Sequence, residues 1–329
     1  MERSVTDEET LQAALGLAVR APSLHNSQPW HWRVGGRTVQ LHLDTARRLP
    51  ATDPHDRELV ISCGAALHHL LVALGSLGRR FHVRRLPDPA EPTHLATVDI
   101  VPDVATSVDE ALAAAIPRRR TDRRRFSSWP VPPEFLGEML QLAGLQGVAL
   151  QAIDDPRLRW KLFRAIAEAA ERQDSDAAQA AELLAWSGRP SNAADGVPAA
   201  NAPPLQRIPG QVPMRPYAHP ELAQPETGGE PEAAALLLLS TPSDTRLQWL
   251  RAGETTSAVL LAATRDGLAS SSLTQPFEVA DTRAFLRTAV AGPEAGHPQI
   301  LLRIGWAASG AAQLPATPRR PLAETVSPL

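Results

Sequence analysis

Eight consecutive residues, Arg118 to Arg125, contain six arginines and the hydroxyl group of Thr121. The planar guanidinium of arginine donates parallel N–H groups to phosphate, and such charge-assisted bonds are about twice as strong as neutral ones. A run of charge can also be a solvated loop or a nucleic-acid patch. Thr121 inside the run and Phe126 after it favour a phosphate-binding site.

A second segment, Ala21 to Trp30, has the composition of a rigid polar loop. Prolines near its two ends restrict the backbone, and Ser23 and Asn26 carry side chains that hydrogen-bond within turns. His25 could serve as an acid or a base, but a single histidine in a loop usually carries no chemistry. Trp30 is expected to pack in the core.

The composition excludes several other classes of protein. A net charge of −3 argues against a general nucleic-acid binder, and no apolar run approaches the roughly 20 residues that span a membrane. We see no signal peptide, and expect a cytoplasmic protein. A single cysteine, Cys63, excludes an internal disulfide and a multi-cysteine metal site, and we expect no metal. The dinucleotide fingerprint GxGxxG, the phosphate loop GxxxxGK[ST] and the zinc motif HExxH do not occur.

Apolar residues at helical spacing predict helices over residues 7–20, 58–77, 108–115, 134–143 and 157–186. Alternating and apolar runs predict strands over residues 31–34, 38–43, 81–83, 95–101, 235–240 and 300–306. The first two strands flank Gly35-Gly36 and are expected to form a hairpin with that pair as its turn.

The chain also contains a weak internal repeat. Gly64 and Gly78 have the same spacing as Gly253 and Gly267, with apolar residues between the members of each pair. The repeat predicts two duplicated halves, residues 1–107 and 108–329.

Residues 187–232, called the insertion below, are rich in proline, alanine, glycine and asparagine. A segment this long without secondary structure is usually a lid or a linker, and a disordered insertion is an equal alternative. Met214 and Tyr217, the only tyrosine, favour a segment that packs on something.

The two motifs together resemble the nitroreductase superfamily of FMN enzymes, in particular its Acg-like branch of fused two-half chains. In ordinary members the arginine-rich motif of one subunit and the APSxxNxQPW motif of the other meet on one flavin. Here each motif occurs once, in the opposite order. The resemblance continues through residues 56–67, 86–89, 195–198, 268–278 and 297–306.

The resemblance implies an α+β nitroreductase-like fold, with helices around central mixed sheets and two halves that form a pseudo-dimer. It implies one FMN per chain at the interface of the halves, with NADH or NADPH as electron donor and a small-molecule acceptor. One extra residue before Phe126 leaves the register of the arginines open, and no catalytic side chain is assigned. The implied cofactor-binding residues are Pro22, Ser23, Leu24, Asn26, Arg119, Arg120, Thr121, Arg123, Ser272, Leu273, Thr274, Gln275, Arg319 and Arg320.

Three functions are left open by the sequence. The first is an FMN-dependent oxidoreductase of the nitroreductase type. The second is a flavin-sequestering protein whose insertion covers the flavin and prevents turnover. The third, a nucleic-acid binder, is disfavoured by the net charge. No membrane partner is expected, and the chain is predicted to be a monomer or a homodimer.

Overall fold

A computed structural model of the chain describes residues 2–104, 110–206, 208, 210–225, 230–292, 294 and 296–329. The first part of the chain alternates long helices with strand pairs. Its elements are α1 (Glu2–Ala18), β1 (Trp30–Gly35), β2 (Thr38–Leu43), α2 (Arg57–Ser76), β3 (Arg79–Arg85) and β4 (His94–Val104).

The second part contains the remaining helices and strands. They are α3 (Glu110–Ala115), α4 (Pro133–Leu145), β5 (Ala149–Ala152), α5 (Pro156–Ser175), α6 (Ala177–Trp186), β6 (Ser187–Arg189), β7 (Val197–Pro198), β8 (Ala235–Thr241), α7 (Arg246–Arg265), β9 (Ala269–Leu273), α8 (Gln275–Glu278), α9 (Ala280–Leu286), β10 (His297–Gly305), α10 (Leu322–Thr325) and β11 (Val326–Pro328). The mixture of helices and sheets confirms the predicted α+β class.

The two larger sheets have the same internal order. One runs β1-β2-β4-β3 and the other β5-β8-β10-β9, with antiparallel neighbours throughout. In chain order, a long helix connects the second and third strands of each sheet. Helix α2 connects β2 to β3, and α7 connects β8 to β9. This is the arrangement that a duplicated chain would produce, and the duplication stays a prediction. The C-terminal strand β11 pairs with β1 in parallel. Of these two sheets, the first is therefore mixed, as predicted, and the described strands of the second are all antiparallel.

Helices α2 and α7 cross in close contact between the two sheets. His68 and Ser257, which are 189 positions apart, hydrogen-bond at 2.8 Å across the crossing. Gly64 and Gly253 have the same separation along the chain. A Cβ on Gly64 would overlap the Leu250 carbonyl oxygen, and one on Gly253 would overlap that of Ile61. The two helices therefore touch through their backbones.

The structure differs from the local predictions in several places. The predicted helix 157–186 is two helices, because the Asp176 side chain accepts hydrogen bonds from two amides and begins α6 there. The hairpin turn is Gly36-Arg37, since Gly35 pairs with Thr38. Strand β5 was not predicted, because four residues carry too short a pattern. The predicted start of the helix at residue 108 lies outside the described residues.

Helix α2 is long and apolar enough to cross a membrane by length and composition, but 72% of its most apolar window is buried inside the protein. Its apolar face packs with β1 and β2, where Trp30 and Trp32 are fully buried. The hydropathy of α2 is thus accounted for by its place between the sheets.

We predict that Gly64→Ala lowers the free energy of unfolding by about 3 kcal/mol, at the upper end of the usual cost of overpacking. The cause is the overlap between the new methyl group and the α7 backbone. Gly75→Ala, in the same helix with open space around it, is the matched control. It should change stability little or raise it by up to about 1 kcal/mol. Urea unfolding of the two variants measures the difference, and equal stabilities would contradict the close crossing.

Candidate functional site

Two cavities lie beside the loop that follows α1. The first, called the arginine cavity, has a volume of about 320 Å³, and its wall includes Arg20, Arg119, Arg120 and Arg319. The second, called the inner pocket, has a volume of about 80 Å³. Its walls comprise Pro22, Ser23, Leu24, His25, Glu58, Ile61, Ser62, Ala65, Thr121, Arg123, Tyr217, Thr256, Ser272, Thr274 and Ile300.

The structure brings the two sequence motifs together. Pro22, Ser23 and Leu24 face Thr121 and Arg123 across the inner pocket. Helix α2 forms a further wall, because Ser62 and Ala65 lie on one helical face. The loop is fixed to this helix by a hydrogen bond of 3.1 Å from the Leu24 amide to the Ser62 hydroxyl oxygen.

The arginine-rich segment runs beside strand β9. Thr121 forms a parallel bridge with Ser270, and the Asp122 amide donates to the Ser270 carbonyl at 2.8 Å. Not every arginine is available to a ligand. Arg124 is buried in a 2.8 Å ion pair with Asp122, so it holds the segment in place.

Arg119 is the residue best suited to an anion. Its side chain is buried, and its Nε has no hydrogen-bond partner among the described residues. Its one contact of hydrogen-bond type is a long one of 3.5 Å from Nη1 to the Thr121 hydroxyl. Burial, with repulsion from Arg120 and Arg123, lowers the pKa of Arg119 to about 10. A buried cation without a counterion is costly, and a phosphate would supply that counterion.

Arg319 lines the same cavity but has a different arrangement of partners. Its guanidinium donates to the carbonyl oxygens of Val19, Arg20, Ala21, Thr317 and Pro318. These bonds satisfy the five N–H donors of an arginine and fix the chain after α1. Burial, followed by repulsion from Arg119, lowers the pKa of Arg319 to about 9. Arg320 lies outside both cavity walls, where it contacts Asp44 at 3.3 Å.

The loop after α1 has an unusual backbone. His25, Asn26 and Gln28 have positive φ angles of 48°, 56° and 53°. Each costs of order 1–3 kcal/mol for a residue other than glycine, and such strain is often found at functional sites. Asn26 compensates by donating to the carbonyl oxygens of Gly196 and Pro318. Asn26 therefore holds the loop, and the pocket is lined by its neighbours.

The predicted residues of the 272–275 segment lie at the end of β9 and the start of α8, and they divide between two directions. Ser272 and Thr274 line the inner pocket. Leu273 packs in a hydrophobic core cluster. Gln275 donates to the Gln173 side chain at 2.9 Å. Only the first two of these four residues can face a ligand in the pocket.

Three charged residues at the site were missed by the sequence analysis. Glu58 lines the inner pocket from the first turn of α2. Arg215 of the insertion and Glu278 of α8 form a buried ion pair at 2.5 Å beside the pocket. No local pattern pointed to Arg215 and Glu278, because 63 positions separate the partners.

His25 is a neutral side chain in this environment. Burial, followed by the nearby positive charge of Arg215, lowers its pKa to about 3. Its Nε2 lies 3.3 Å from Arg215 Nη1, where only an unprotonated nitrogen can accept. His25 therefore holds no imidazolium proton at neutral pH.

The insertion contributes directly to the pocket. Tyr217 lines it, edge-on to the His25 ring at 6.3 Å, and the Arg123 guanidinium lies 4.8 Å from the Tyr217 ring centre. The aliphatic residues Val197 and Val212 are buried. Tyr217 thus brings part of the insertion to the pocket, and the two valines are packed in the protein interior.

Comparisons with known proteins identify the family of this chain. The Mycobacterium tuberculosis (strain H37Rv) protein named "Putative NAD(P)H nitroreductase Rv3131" is 46% identical over 327 residues, covering 99% of this chain and 93% of the relative. "Putative NAD(P)H nitroreductase acg" of the same strain is 36% identical, covering 98% of this chain and 97% of its own. This chain belongs to the Acg-like nitroreductase family. The predicted family is thereby confirmed, and the fold described above is that of a family member.

No family model matches the chain. Among solved structures, the FMN-dependent nitroreductase NfnB from Mycobacterium smegmatis in complex with NADPH is 21% identical, with a TM-score of 0.40 over 66% of this chain and 97% of its own. A score of that size supports no argument, and membership of the nitroreductase family depends on the two full-length relatives.

Under the predicted duplication, an ion pair between the two halves lies at the position related to the inner pocket. With the 189-residue separation of the two helices, Ala65 corresponds to Glu254 and Thr274 corresponds to Arg85. Arg85 donates to both carboxylate oxygens of Glu254, at 2.7 and 2.8 Å. A bidentate ion pair thus takes the place of two small pocket residues.

Cys63 and the histidines carry no metal or nucleophilic chemistry that the structure supports. Cys63 is buried, and burial raises the pKa of its thiol far above the usual value. Among the described residues, no three side chains of histidine, cysteine, aspartate or glutamate are grouped as metal ligands.

We predict that Arg119→Met stabilises the protein when it is free of ligand. The folded-state pKa of Arg119 is lowered, so below pH about 10 the folded protein carries the charge at a cost that methionine removes. Arg118→Met, at an exposed neighbour, is the matched control. Thermal unfolding at pH 7 should give a higher Tm for Arg119→Met than for the control. A lower Tm would show that Arg119 has a stabilising partner.

Proposed function

We propose that the chain is an FMN-dependent oxidoreductase of the nitroreductase type, which uses NADH or NADPH to reduce a small-molecule acceptor at the inner pocket. The observation that carries the proposal is the meeting of the two motifs. Arg119, whose Nε has no partner among the described residues, lines the arginine cavity beside them. The names of the full-length relatives support it.

The two cavities suit the two ends of FMN. Arg119 and Arg120 would hold the phosphate in the arginine cavity, since both have a buried Nε without a partner among the described residues. Arg319 would position the end of α1 beside them. Within the inner pocket the flavin ring would contact Pro22, Ser23, Leu24, Thr121, Arg123, Ser272 and Thr274.

FMN, when bound, supplies hydride transfer between a nicotinamide and an acceptor. The residues of this chain bind and orient it, and they exclude water from its ring. The strained loop at His25 and the α2 residues Ser62 and Ala65 form rigid walls for that purpose. Rigid walls matter because the reacting atoms must approach to roughly 3–3.5 Å.

We further propose that residues 1–107 and 108–329 are two halves with a single flavin site between them. The matching order of the two sheets supports this division, although β11 crosses back to the first sheet. The Arg85–Glu254 ion pair favours one FMN per chain, because it joins the two halves and fills the position related to the inner pocket.

An anaerobic titration with NADPH tests the proposed function. The purified protein should bind one equivalent of FMN, and NADPH should bleach the visible flavin band, because the nicotinamide transfers hydride to the ring. The number of FMN molecules per chain, measured after denaturation, tests the prediction of a single site. A colourless protein that cannot be reconstituted with FMN would overturn the proposal.

A flavin-sequestering protein is the second candidate function, and the insertion favours it. Tyr217 occupies the pocket wall, and its neighbour Arg215 is anchored to Glu278 by the buried ion pair. A flavin enclosed by these residues would be closed to a bulky nicotinamide.

Tyr217→Ala distinguishes the two functions. If the insertion blocks the flavin, removal of this ring should speed bleaching by NADPH at least tenfold, with flavin retained. Tyr217→Phe keeps the ring and serves as the control. A wild-type protein that NADPH already reduces within seconds would refute sequestration.

The nucleic-acid alternative has little structural support. Arg119 and Arg124 are buried, and Arg124 is paired with Asp122, so the run is not a solvated basic patch. We propose that the chain works in the cytoplasm on small molecules, as a monomer or a homodimer.

A further inference from the structure

Glu58 is a buried carboxyl group in the wall of the inner pocket. It is not among the residues proposed to bind the cofactor. It lies in the first turn of α2 and is 2% exposed. The pocket wall around it includes Ser62 of the same helix and Thr274 after β9. Glu58 thus lines the same pocket as Ser272 and Thr274, which are proposed to flank the flavin ring.

Charged groups from four elements surround Glu58. Arg57 of α2 hydrogen-bonds to it, and also donates to the carbonyl oxygen of Gln299 at 2.9 Å. Asp53 of the preceding loop, Glu278 of α8 and Arg283 of α9 act on it through their charges. The two carboxylates oppose ionisation of Glu58, and the two arginines favour it.

Burial dominates this balance. Burial raises the pKa of Glu58 to about 8, although Arg57 acts in the opposite direction. The carboxyl group therefore keeps a proton at neutral pH. After it loses this proton, the carboxylate would have the Arg57 guanidinium at hydrogen-bond distance.

The other titratable groups near the pocket are less suitable proton donors. His25 is unprotonated at neutral pH, since its pKa is lowered to about 3 by burial and Arg215. Burial tends to raise the pKa of Glu278, but Arg215 outweighs it and lowers that pKa. Glu278 also accepts the Thr274 hydroxyl at 2.6 Å, so it is held as a carboxylate.

We propose that Glu58 is a catalytic acid of this site, whose carboxyl O–H donates a proton to an electron acceptor of the quinone class as that acceptor receives a hydride. The inference rests on the proposed function, since the hydride must come from the cofactor reduced by NAD(P)H. It adds a side chain with a chemical step to a site otherwise built for binding.

The step balances in atoms and charge. A quinone gains one hydride and one proton and becomes a hydroquinone. The O–H bond of Glu58 breaks as a new O–H bond forms on the quinone oxygen. The resulting carboxylate stays paired with Arg57 and is reprotonated from water before the next turnover.

Glu58→Gln tests the step, because glutamine has the shape of the protonated acid and cannot donate a carboxyl proton. Flavin content and bleaching by NADPH should be unchanged. Reoxidation of the reduced protein by a benzoquinone should slow by about 100-fold, the lower end of general-acid contributions. The wild-type rate should fall above pH about 8, and the variant rate should not depend on pH there. Glu138→Gln, on α4 and outside the pocket walls, is the matched control.

A second readout uses the flavin-free protein. A carboxyl whose pKa is raised on folding binds more protons in the folded state between pH about 4.5 and about 8. The stability of the wild type should therefore fall as the pH rises through this window. The stability of Glu58→Gln should fall less. If the Tm difference between the two proteins stays constant with pH, Glu58 is not protonated in the folded protein, and the proposal fails.

The outcomes separate this inference from the proposed function. If NADPH bleaches both proteins and Glu58→Gln reoxidises within twofold of the wild-type rate, Glu58 is not the acid and the oxidoreductase stands. If NADPH does not bleach the wild-type protein, the proposed function fails and the catalytic role of Glu58 fails with it.

Discussion

The backbone contact between α2 and α7 is the constraint on which the site depends. Gly64 and Gly253 allow the two helices to approach until each Cα faces the carbonyl groups of the other helix. This distance places Ala65 of α2 and Thr256 of α7 in the wall of one pocket. Any larger residue at the crossing would separate the sheets, and the two sequence motifs attached to them would no longer meet.

Two features of this site are unfavourable in free energy, and the fold itself does not require them. Arg119 is a buried cation whose Nε has no hydrogen-bond partner among the described residues, and the loop at His25 has strained backbone angles. Arg319 offsets part of the cost, because its five hydrogen bonds fix the end of α1 and the strained loop that follows. Strain and unpaired charge that persist in a stable fold are typical of a site prepared for a ligand.

The sequence predicted those features that are local or that a motif carries. Helical spacing located α2, and the two motifs located Ser23 and Thr121, which do line one pocket. It did not predict the roles of Arg319 or of the Arg215–Glu278 pair, because these depend on partners distant in the chain. Long-range pairing of charges is a property of tertiary packing, which periodicity in one sequence does not record.

A fused chain can change one of its two related sites without changing the other. In a symmetric homodimer every substitution appears twice, at equivalent positions of both sites. Under the proposed duplication, Arg85 and Glu254 fill one pocket with a bidentate ion pair, while the related Thr274 and Ala65 leave the other open. The open pocket could then acquire Glu58 and the insertion residue Tyr217, which a homodimer would have to accommodate twice. The difference in charge between the two related sites is therefore what fusion makes possible.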